Sequence, residues 1–202
     1  MAVTARLADA LEDAGIQGRS VADLGSGIGD LLLTLLARGA SSGFGIDLGP
    51  GVVEHARALA SSRGLDGRAT FVVGDASRAP LPSSDVVALN RVLCCYEDPV
   101  GLIGNAASAA RGVVGFTAPV DRGVFGALNH ALTWISNRWY ALRRRKYRGF
   151  RVFVHDLASV EAQLSSLGFD RIREETVHGV WQLEVFARSR ASAEPDVRMA
   201  GP

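Results

Sequence analysis

The stretch that decides the fold is Val21-Ala-Asp-Leu-Gly-Ser-Gly-Ile-Gly-Asp30, an apolar segment that runs into a glycine-dense turn. The apolar residues predict a buried strand, and the periodicity from Asp30 onward predicts a helix. A turn of the Gly-x-Gly type lets the backbone approach a ligand closely at the helix N-terminus. This stretch therefore predicts a ligand-binding loop between a strand and a helix of an α/β protein.

Outward from this stretch, apolar strand-like runs alternate with helical patterns. The predicted strands cover residues 20–24, 43–47, 69–73, 85–90 and 113–117. The predicted helices cover residues 4–14, 30–38, 51–63, 100–110 and 156–167. Two further strand-like segments, 171–177 and 180–188, predict a hairpin around Gly179. The alternation predicts a doubly wound, mostly parallel, Rossmann-like α/β sheet, in which ligands bind beyond the carboxyl ends of the strands.

The composition is that of one globular domain. The chain has 202 residues, of which 48% are hydrophobic and 21% are charged. The 22 Lys and Arg residues nearly balance the 21 Asp and Glu residues, so no general attraction to nucleic acid is expected. We expect one domain over residues 1–188, with a helical insert at 120–150, followed by a disordered tail over 189–202 that is rich in Ala, Ser and Pro.

Cysteine usage and hydropathy predict the compartment. The two cysteines, Cys94 and Cys95, are adjacent, a spacing that suits neither a loop-closing disulfide nor a metal site. The sequence contains neither a run of about 20 apolar residues nor a signal-peptide pattern. We therefore expect a cytoplasmic protein without a bound metal. The sequence does not predict its oligomeric state.

Aspartates stand at the ends of the first three predicted strands, at positions 23, 47 and 75. A fourth, Asp30, takes the place of the last glycine of the dinucleotide fingerprint, where it would repel a pyrophosphate. The acids therefore favour a cationic ligand that carries a ribose, with Asp47 bonded to ribose hydroxyls and Asp75 near an adenine amino group. S-adenosylmethionine has these parts: an ammonium, a sulfonium, a ribose and an adenine.

Four segments together resemble the motifs of class I S-adenosylmethionine-dependent methyltransferases, over roughly residues 19–187. They are Asp23-Leu-Gly-Ser-Gly-Ile-Gly29, Asp47, Gly74-Asp75-Ala76 and Asp85-Val-Val-Ala-Leu-Asn90. The resemblance implies a seven-stranded sheet that ends in an antiparallel hairpin, and S-adenosylmethionine as the cofactor. The cofactor contacts that it implies are Asp23, Gly25, Ser26, Gly27, Asp47, Leu48, Asp75, Ala76 and Asn90.

A narrower resemblance concerns the second half of the chain. Phe116-Thr-Ala-Pro119, a long insert, Val154-His155 and Gly168-Phe169 are similar to the magnesium-protoporphyrin O-methyltransferase group. The resemblance implies that His155 is catalytic, and neutral imidazole can accept a proton from a hydroxyl. The other interpretation of His155 is a histidine that caps or supports the following helix. The chain departs from that group in its short N-terminal segment and in having no tyrosine before Tyr96.

The segment after the fourth predicted strand should lie closest to the transferred methyl group. It reads Asn90-Arg-Val-Leu-Cys-Cys-Tyr-Glu-Asp-Pro99. We expect Asn90, Arg91 and Tyr96 to contact cofactor or acceptor, with Tyr96 as a second catalytic candidate. Leu93 and the two cysteines are expected to pack the following turn.

The insert before His155 carries an apolar stripe at alternating steps of three and four residues, which predicts a helix. The stripe consists of Phe125, Leu128, Leu132, Ile135, Trp139 and Leu142. A basic run, Arg143–Arg148, follows it. Three interpretations are open: a helix packed on the domain, a lid over an apolar or anionic acceptor, and a peripheral membrane contact through residues 123–148.

The predicted function is methyl transfer from S-adenosylmethionine to a small-molecule acceptor, at a hydroxyl or carboxylate oxygen. RNA is disfavoured as the acceptor because a single basic cluster makes a small footprint. Two alternatives are a nicotinamide-dependent oxidoreductase, which Asp30 disfavours, and a cofactor-binding partner protein without catalysis.

Overall fold

The computed structural model describes residues 2–143, 145 and 150–189. Within these residues the strands are β1 (Ser20–Leu24), β2 (Ser42–Asp47), β3 (Ala69–Val73), β4 (Ser84–Asn90), β5 (Ala110–Pro119), β6 (Phe169–Val177) and β7 (Trp181–Arg188). The helices are α1 (Ala2–Asp13), α2 (Asp30–Ala37), α3 (Pro50–Ser62), α4 (Pro99–Ala109), α5 (Gly123–Leu142) and α6 (Leu157–Ser166). A short 3₁₀ helix covers Leu93–Cys95.

The strands form one seven-stranded sheet in the order β3-β2-β1-β4-β5-β7-β6. The first five strands in this order are parallel, and β7 pairs antiparallel with both β5 and β6. The predicted Rossmann-like sheet with a terminal hairpin is therefore confirmed. The strand order reverses between β1 and β4, so the loop after β1 lies at the position where such sheets bind ligands.

The main error in the element boundaries is in β5, which is ten residues long and not the predicted five. The residues at its two ends are also paired: Ala110 pairs with β4, and Ala118 and Pro119 pair with β7. Gly112 and Gly115 interrupt the apolar pattern, so the sequence does not predict the full length of this strand. Of the predicted tail, Ser189 is hydrogen bonded to Gly168 and Asp170. Residues 190–202 lie outside the described residues.

Helices cover both faces of the sheet and enclose two apolar clusters. One cluster joins α1, α2 and α3 to the sheet, and the other joins α4 and α6 to the opposite face. Helix α1 packs closely on β5, because a Cβ at Gly115 would come within 2.7 Å of Leu11. This packing brings the start of α1, including Thr4, to the carboxyl end of β4, where the two side chains of Thr4 and Asn90 meet.

The insert forms the predicted helix, α5, and its apolar stripe is largely exposed. The side chains of the stripe are between 41% and 84% exposed. Phe125 packs against Gly179, where a Cβ would come within 2.8 Å of its ring. The three interpretations of the insert stay predictions. Of the predicted basic run, residues 144 and 146–148 lie outside the described residues. In the described part of the chain, no helix combines the length and hydropathy needed to cross a membrane.

Candidate active site

The loop between β1 and α2 is built from glycines in the left-handed region. Gly25, Gly27 and Gly29 have φ values of 70°, 53° and 83°. A Cβ at Gly25 would come within 2.5 Å of a Val92 methyl group, whereas a Cβ at Gly27 would meet nothing within 4 Å. Gly25 is thus required by packing, and Gly27 leaves the backbone open toward a cavity.

The cavity beside this loop has a volume of about 610 Å³. One wall contains predicted site residues, namely Asp23, Gly25, Ser26, Gly27 and Asn90. The opposite wall contains Thr133, Tyr140, Phe150, Phe153 and Trp181. The cavity therefore has a polar side at the strand ends and an aromatic side formed by α5, the segment after it and the start of β7.

Asp23 is 1% exposed, and its Oδ1 atom has no hydrogen-bond partner in the structure. Burial raises the pKa of Asp23 to about 8, and the charge of Asp47 adds to this rise, while a hydrogen bond from the Leu32 backbone opposes it. A buried carboxyl oxygen without a partner indicates a binding site for a hydrogen-bond donor that comes from a ligand.

Asp47 anchors the rim of the cavity. Its Oδ2 atom accepts a hydrogen bond from the Gly27 N–H and its Oδ1 atom accepts one from the Gly49 N–H, both at 2.9 Å. Each carboxylate oxygen retains a lone pair for a further donor. The neighbouring predicted residue, Leu48, is 59% exposed.

Asp75 and Tyr96 form a second polar group. The Tyr96 hydroxyl donates to Asp75 Oδ1 at 3.3 Å, and burial and the charge of Asp75 raise the pKa of Tyr96 to about 12. Burial alone would raise the pKa of Asp75, but hydrogen bonds from Ser77 and Tyr96 keep it below its usual value. Ala76 is predicted to contact the cofactor, but its side chain is buried in the core. The backbone carbonyl oxygen of Ala76 accepts a hydrogen bond from Asn105 Nδ2 at 2.7 Å.

Asn90 lies at the carboxyl end of β4 with both ends of its amide engaged. Its Nδ2 donates to Thr4 Oγ1 at 2.9 Å, and its Oδ1 accepts from Thr117 Oγ1 at 3.0 Å. Thr4 also lines the cavity. Nothing in the sequence near Thr4 indicates this role, because the contact joins residues that are 86 positions apart.

The residues after Asn90 bring a cation and two thiols to the cavity. Arg91 has a φ of 60°, which is uncommon for a residue with a side chain, and its guanidinium lies 5.1 Å from the centre of the Trp181 ring. The Cys94 and Cys95 sulfurs are 3.8 Å apart and line the cavity. They also contact the Arg91 carbonyl oxygen within the turn, and Leu93 beside them is buried.

The two thiols differ in acidity. A hydrogen bond from Cys94 and the positive charge of Arg91 lower the pKa of Cys95 to about 7, against the opposing effect of burial. The same hydrogen bond and burial raise the pKa of Cys94. The cavity wall therefore holds two thiols of different acidity, of which Cys95 is the more readily ionised.

His155 does not line the cavity. Its Nε2 atom lies 3.0 Å from the Leu93 carbonyl oxygen and 2.8 Å from the Tyr96 carbonyl oxygen, so it donates to them. Its ring stacks on Phe153 at 5.7 Å. These contacts join the 3₁₀ helix to the segment after α5, whereas the alternative interpretation assigns His155 to the following helix, α6, whose N-cap is Asp156.

The residues of the polar wall fit S-adenosylmethionine. Besides Asp23 Oδ1, the buried Ser26 Oγ has no partner in the structure, and Gly27 leaves space beside both. Unpaired acceptors and acidic groups suit a ligand with ammonium and hydroxyl donors. When bound, such a cofactor supplies a methyl group on a positively charged sulfur.

Comparisons with known proteins agree with this chemistry. Residues 21–111 match a family described as a methyltransferase domain. The chain is 30% identical to aklanonic acid methyltransferase from Streptomyces sp. strain C5 over an alignment of 189 residues that covers 85% of this chain and 83% of that protein. It is 38% identical to release factor glutamine methyltransferase from Rhodospirillum rubrum over 44% of this chain, but spans only 32% of that protein.

A solved structure resembles the fold over nearly its whole length. Magnesium protoporphyrin IX methyltransferase from Synechocystis, crystallised with S-adenosylhomocysteine, has a TM-score of 0.72 and 22% identity, covering 93% of this chain and 82% of that one. Fold, site and relatives together define the class: the chain belongs to the class I S-adenosylmethionine-dependent methyltransferases. Its cofactor is S-adenosylmethionine, and the alternative of a nicotinamide-dependent oxidoreductase is overturned.

Proposed function

We propose that this chain methylates an oxygen atom, specifically a carboxylate, of an apolar small-molecule acceptor. The observation that carries the proposal is the lining of the cavity, where the Arg91 guanidinium lies over the Trp181 ring and Tyr140 and Phe150 line the same space. A guanidinium pairs well with a carboxylate, and the aromatic rings suit an apolar body.

For the cofactor side, we propose that Asp23 binds the ammonium group, Asp47 the ribose hydroxyls and Asp75 the adenine amino group. The backbone of Gly25, Ser26 and Gly27 would line the amino-acid end. Lesser contacts are proposed for Leu48, Ala76 and Asn90. The acids hold the donor by hydrogen bonds and charge, so that the residues of the opposite wall can align an acceptor with it.

The position of the titratable groups supports a carboxylate over a hydroxyl. Methyl transfer to a neutral hydroxyl requires a base, whereas a carboxylate is already ionised at neutral pH. The Tyr96 hydroxyl is bound to Asp75, and the His155 Nε2 is bound to two carbonyl oxygens. The relative named for aklanonic acid also supports an acidic acceptor. We therefore propose that Tyr96 and His155 position neighbouring groups, as an alternative to the catalytic roles predicted for them.

The test is transfer of a tritium-labelled methyl group from S-adenosylmethionine to a panel of aromatic carboxylic acids, with the matching amides and phenols as controls. We expect label in the acids only, and we expect mild alkali to release it as volatile methanol, because methyl esters hydrolyse and methyl ethers do not. Arg91→Gln should raise the KM for the acid about tenfold or more, because a charge-assisted hydrogen bond is lost. Alkali-stable label in the phenols would contradict the proposal, and no transfer to any acceptor would favour the non-catalytic alternative.

We also propose that residues 2–189 form one catalytic domain, in which α5 and residues 150–153 cover the acceptor. Thr133 and Tyr140 of α5 and Phe150 after it supply this cover. A peripheral membrane contact through the insert 123–148 completes the proposal, because the apolar stripe of α5 faces outward.

A further inference from the structure

Helix α5 has the reverse of the polarity expected for a helix on a protein surface. Its outer face carries large apolar side chains that are between 46% and 85% exposed: Val124, Leu128, Leu132, Trp134, Ile135 and Leu142. An ordinary surface helix turns such residues toward the core. A contiguous exposed apolar patch of this kind marks an interaction surface.

The inner face of α5 is held to the domain by polar groups and a glycine. Asn129 donates to the carbonyl oxygens of Val120 and Val180, and Asn137 exchanges two 2.8 Å hydrogen bonds with the Val152 backbone. A Cβ at Gly126 would come within 2.4 Å of the Asp121 backbone, so the helix is closely docked. Rotation of the apolar face inward would break these bonds, so its exposure follows from how the helix is attached.

The charge around α5 indicates what covers its outer face. Residues 123–150 contain six Lys and Arg residues and no Asp or Glu, although the whole chain has a net charge of only +1. Along the helix, the Arg138 and Arg143 guanidinium groups lie over the Trp134 and Trp139 rings, at 6.0 Å and 4.9 Å. Tryptophan and arginine beside an exposed apolar face are typical of helices that lie in the interface of an anionic membrane.

We propose that the outer face of α5 docks on an anionic lipid bilayer, with the helix axis in the plane of the membrane. This inference rests on the proposed function, which it deepens, because the inner face of the same helix lines the acceptor cavity through Thr133 and Tyr140. An apolar acceptor dissolved in the bilayer then reaches the cavity past the edge of α5.

The charge pattern disfavours a second copy of the chain as the cover. Two outer faces brought together would juxtapose like charges, because both copies carry Arg138 and Arg143 with no acid in the segment. A bilayer that contains anionic headgroups attracts the same residues, by about 1 kcal/mol for each, which is about a fivefold gain in binding.

The test is cosedimentation of the full chain with vesicles of phosphatidylcholine and phosphatidylglycerol, against vesicles of phosphatidylcholine alone. We expect binding to the anionic vesicles, weakened by salt. The double variant Ile135→Ser with Leu142→Ser should bind at least about tenfold more weakly, because it removes two large apolar side chains from the interface. Arg138→Gln should lower binding to the anionic vesicles about fivefold.

The matched control is Ile172→Ser on β6, since Ile172 and Ile135 are both 55% exposed. This control should bind vesicles like the wild type. Failure of the wild type to bind anionic vesicles, or equal binding by the double variant, would overturn the proposal. So would a dimer in sedimentation velocity that Ile135→Ser converts to a monomer, because a second copy would then cover the face.

Two further measurements separate this inference from the proposed function. Binding of S-adenosylhomocysteine and methylation of a water-soluble acid are measured without vesicles for every variant. The double variant should keep ligand binding and methylation and lose only its binding to vesicles. Its retained activity also establishes that it is folded. If the wild type neither binds S-adenosylhomocysteine nor methylates the acid, the proposed function is contradicted, regardless of whether the protein binds vesicles.

Discussion

At the scale of single residues, Asp23 links burial to ligand binding. Its carboxyl is buried beside the glycine loop with one oxygen unpaired, and its pKa is raised to about 8. The free protein therefore holds a proton on Asp23 at neutral pH. An ammonium group bound there would favour the ionised carboxylate and displace that proton.

We expect the protein to release a proton when it binds S-adenosylhomocysteine, which carries the same ammonium group as S-adenosylmethionine. Near pH 7 we expect a large fraction of one proton per ligand, falling toward zero above about pH 9, where Asp23 is already ionised. The measurement is calorimetry in two buffers of different ionisation enthalpy. Asp23→Asn should bind without this release, and an equal proton count in both proteins would be inconsistent with the role given to Asp23.

A second prediction at this scale concerns His155. If it positions the 3₁₀ helix, His155→Gln should keep most of the activity, because an amide N–H can also donate to the Leu93 and Tyr96 carbonyl oxygens. His155→Ala should lower kcat/KM about tenfold, which is the cost of a lost hydrogen bond of this kind. The dependence of kcat on pH should run parallel in all three proteins. A loss of kcat in both variants, with a changed pH profile, would instead support His155 as the base.

At the scale of elements, the sequence predicts the parallel strands well and the orientation of α5 not at all. Strands such as β1 and β3 are predicted to the residue, because apolar runs between turn signals have few other interpretations. The stripe on α5 has the same spacing whether it faces a core or a membrane. Its direction is set by Asn129 and Asn137, whose partners lie 51 and 15 positions away in the sequence.

The orientation of α5 makes adjacent residues differ in effect. Thr133 lines the cavity, whereas Leu132 is 50% exposed on the outer face. Thr133→Trp should fill the acceptor side and raise the acceptor KM at least about tenfold, because overpacking costs about 1–3 kcal/mol. Leu132→Trp should leave the acceptor KM unchanged, and both variants should bind S-adenosylhomocysteine normally. Steady-state kinetics measures the acceptor KM, and titration measures the binding of S-adenosylhomocysteine. Equal effects of the two variants on the acceptor KM would contradict the orientation of α5.

The hairpin of β6 and β7 contains a buried acid whose ionisation should affect stability. Glu184 is 2% exposed, with Oε2 unpartnered and 3.9 Å from Arg171. Burial raises the pKa of Glu184 to about 7, a rise that Arg171 opposes. Because the folded pKa exceeds the unfolded one, the stabilisation is present below about pH 4.5 and is lost as the pH rises through about 7.

We expect this acid to lower the free energy of unfolding by on the order of 2 kcal/mol between about pH 5 and pH 8. Urea unfolding of wild type and Glu184→Gln at both pH values measures the difference. The variant should gain relative stability at the higher pH. A constant difference between the two proteins would mean that Glu184 keeps the same ionisation in both states.

At the scale of the whole molecule, one group of acids and one group of bases lie in different parts of the chain. Aspartates converge at the carboxyl ends of β1, β2 and β3, and residues 123–150, which include α5, contain six bases and no acid. The acidic side follows from the sequence, because parallel strands must end on one edge of the sheet. The sequence does not predict the cavity positions of Thr4, Thr133 and Trp181, because the packing of α1, α5 and β7 brings these residues to the cavity.

If the acidic strand ends bind the methyl donor, calorimetric titration with S-adenosylhomocysteine should detect that site. We expect one site in the wild type and binding at least about tenfold weaker in Asp47→Asn, because charged hydrogen bonds to the ribose are weakened. NAD should not bind, since Asp30 would face its pyrophosphate. Equal affinity of the variant, or binding of NAD in place of S-adenosylhomocysteine, would contradict this expectation.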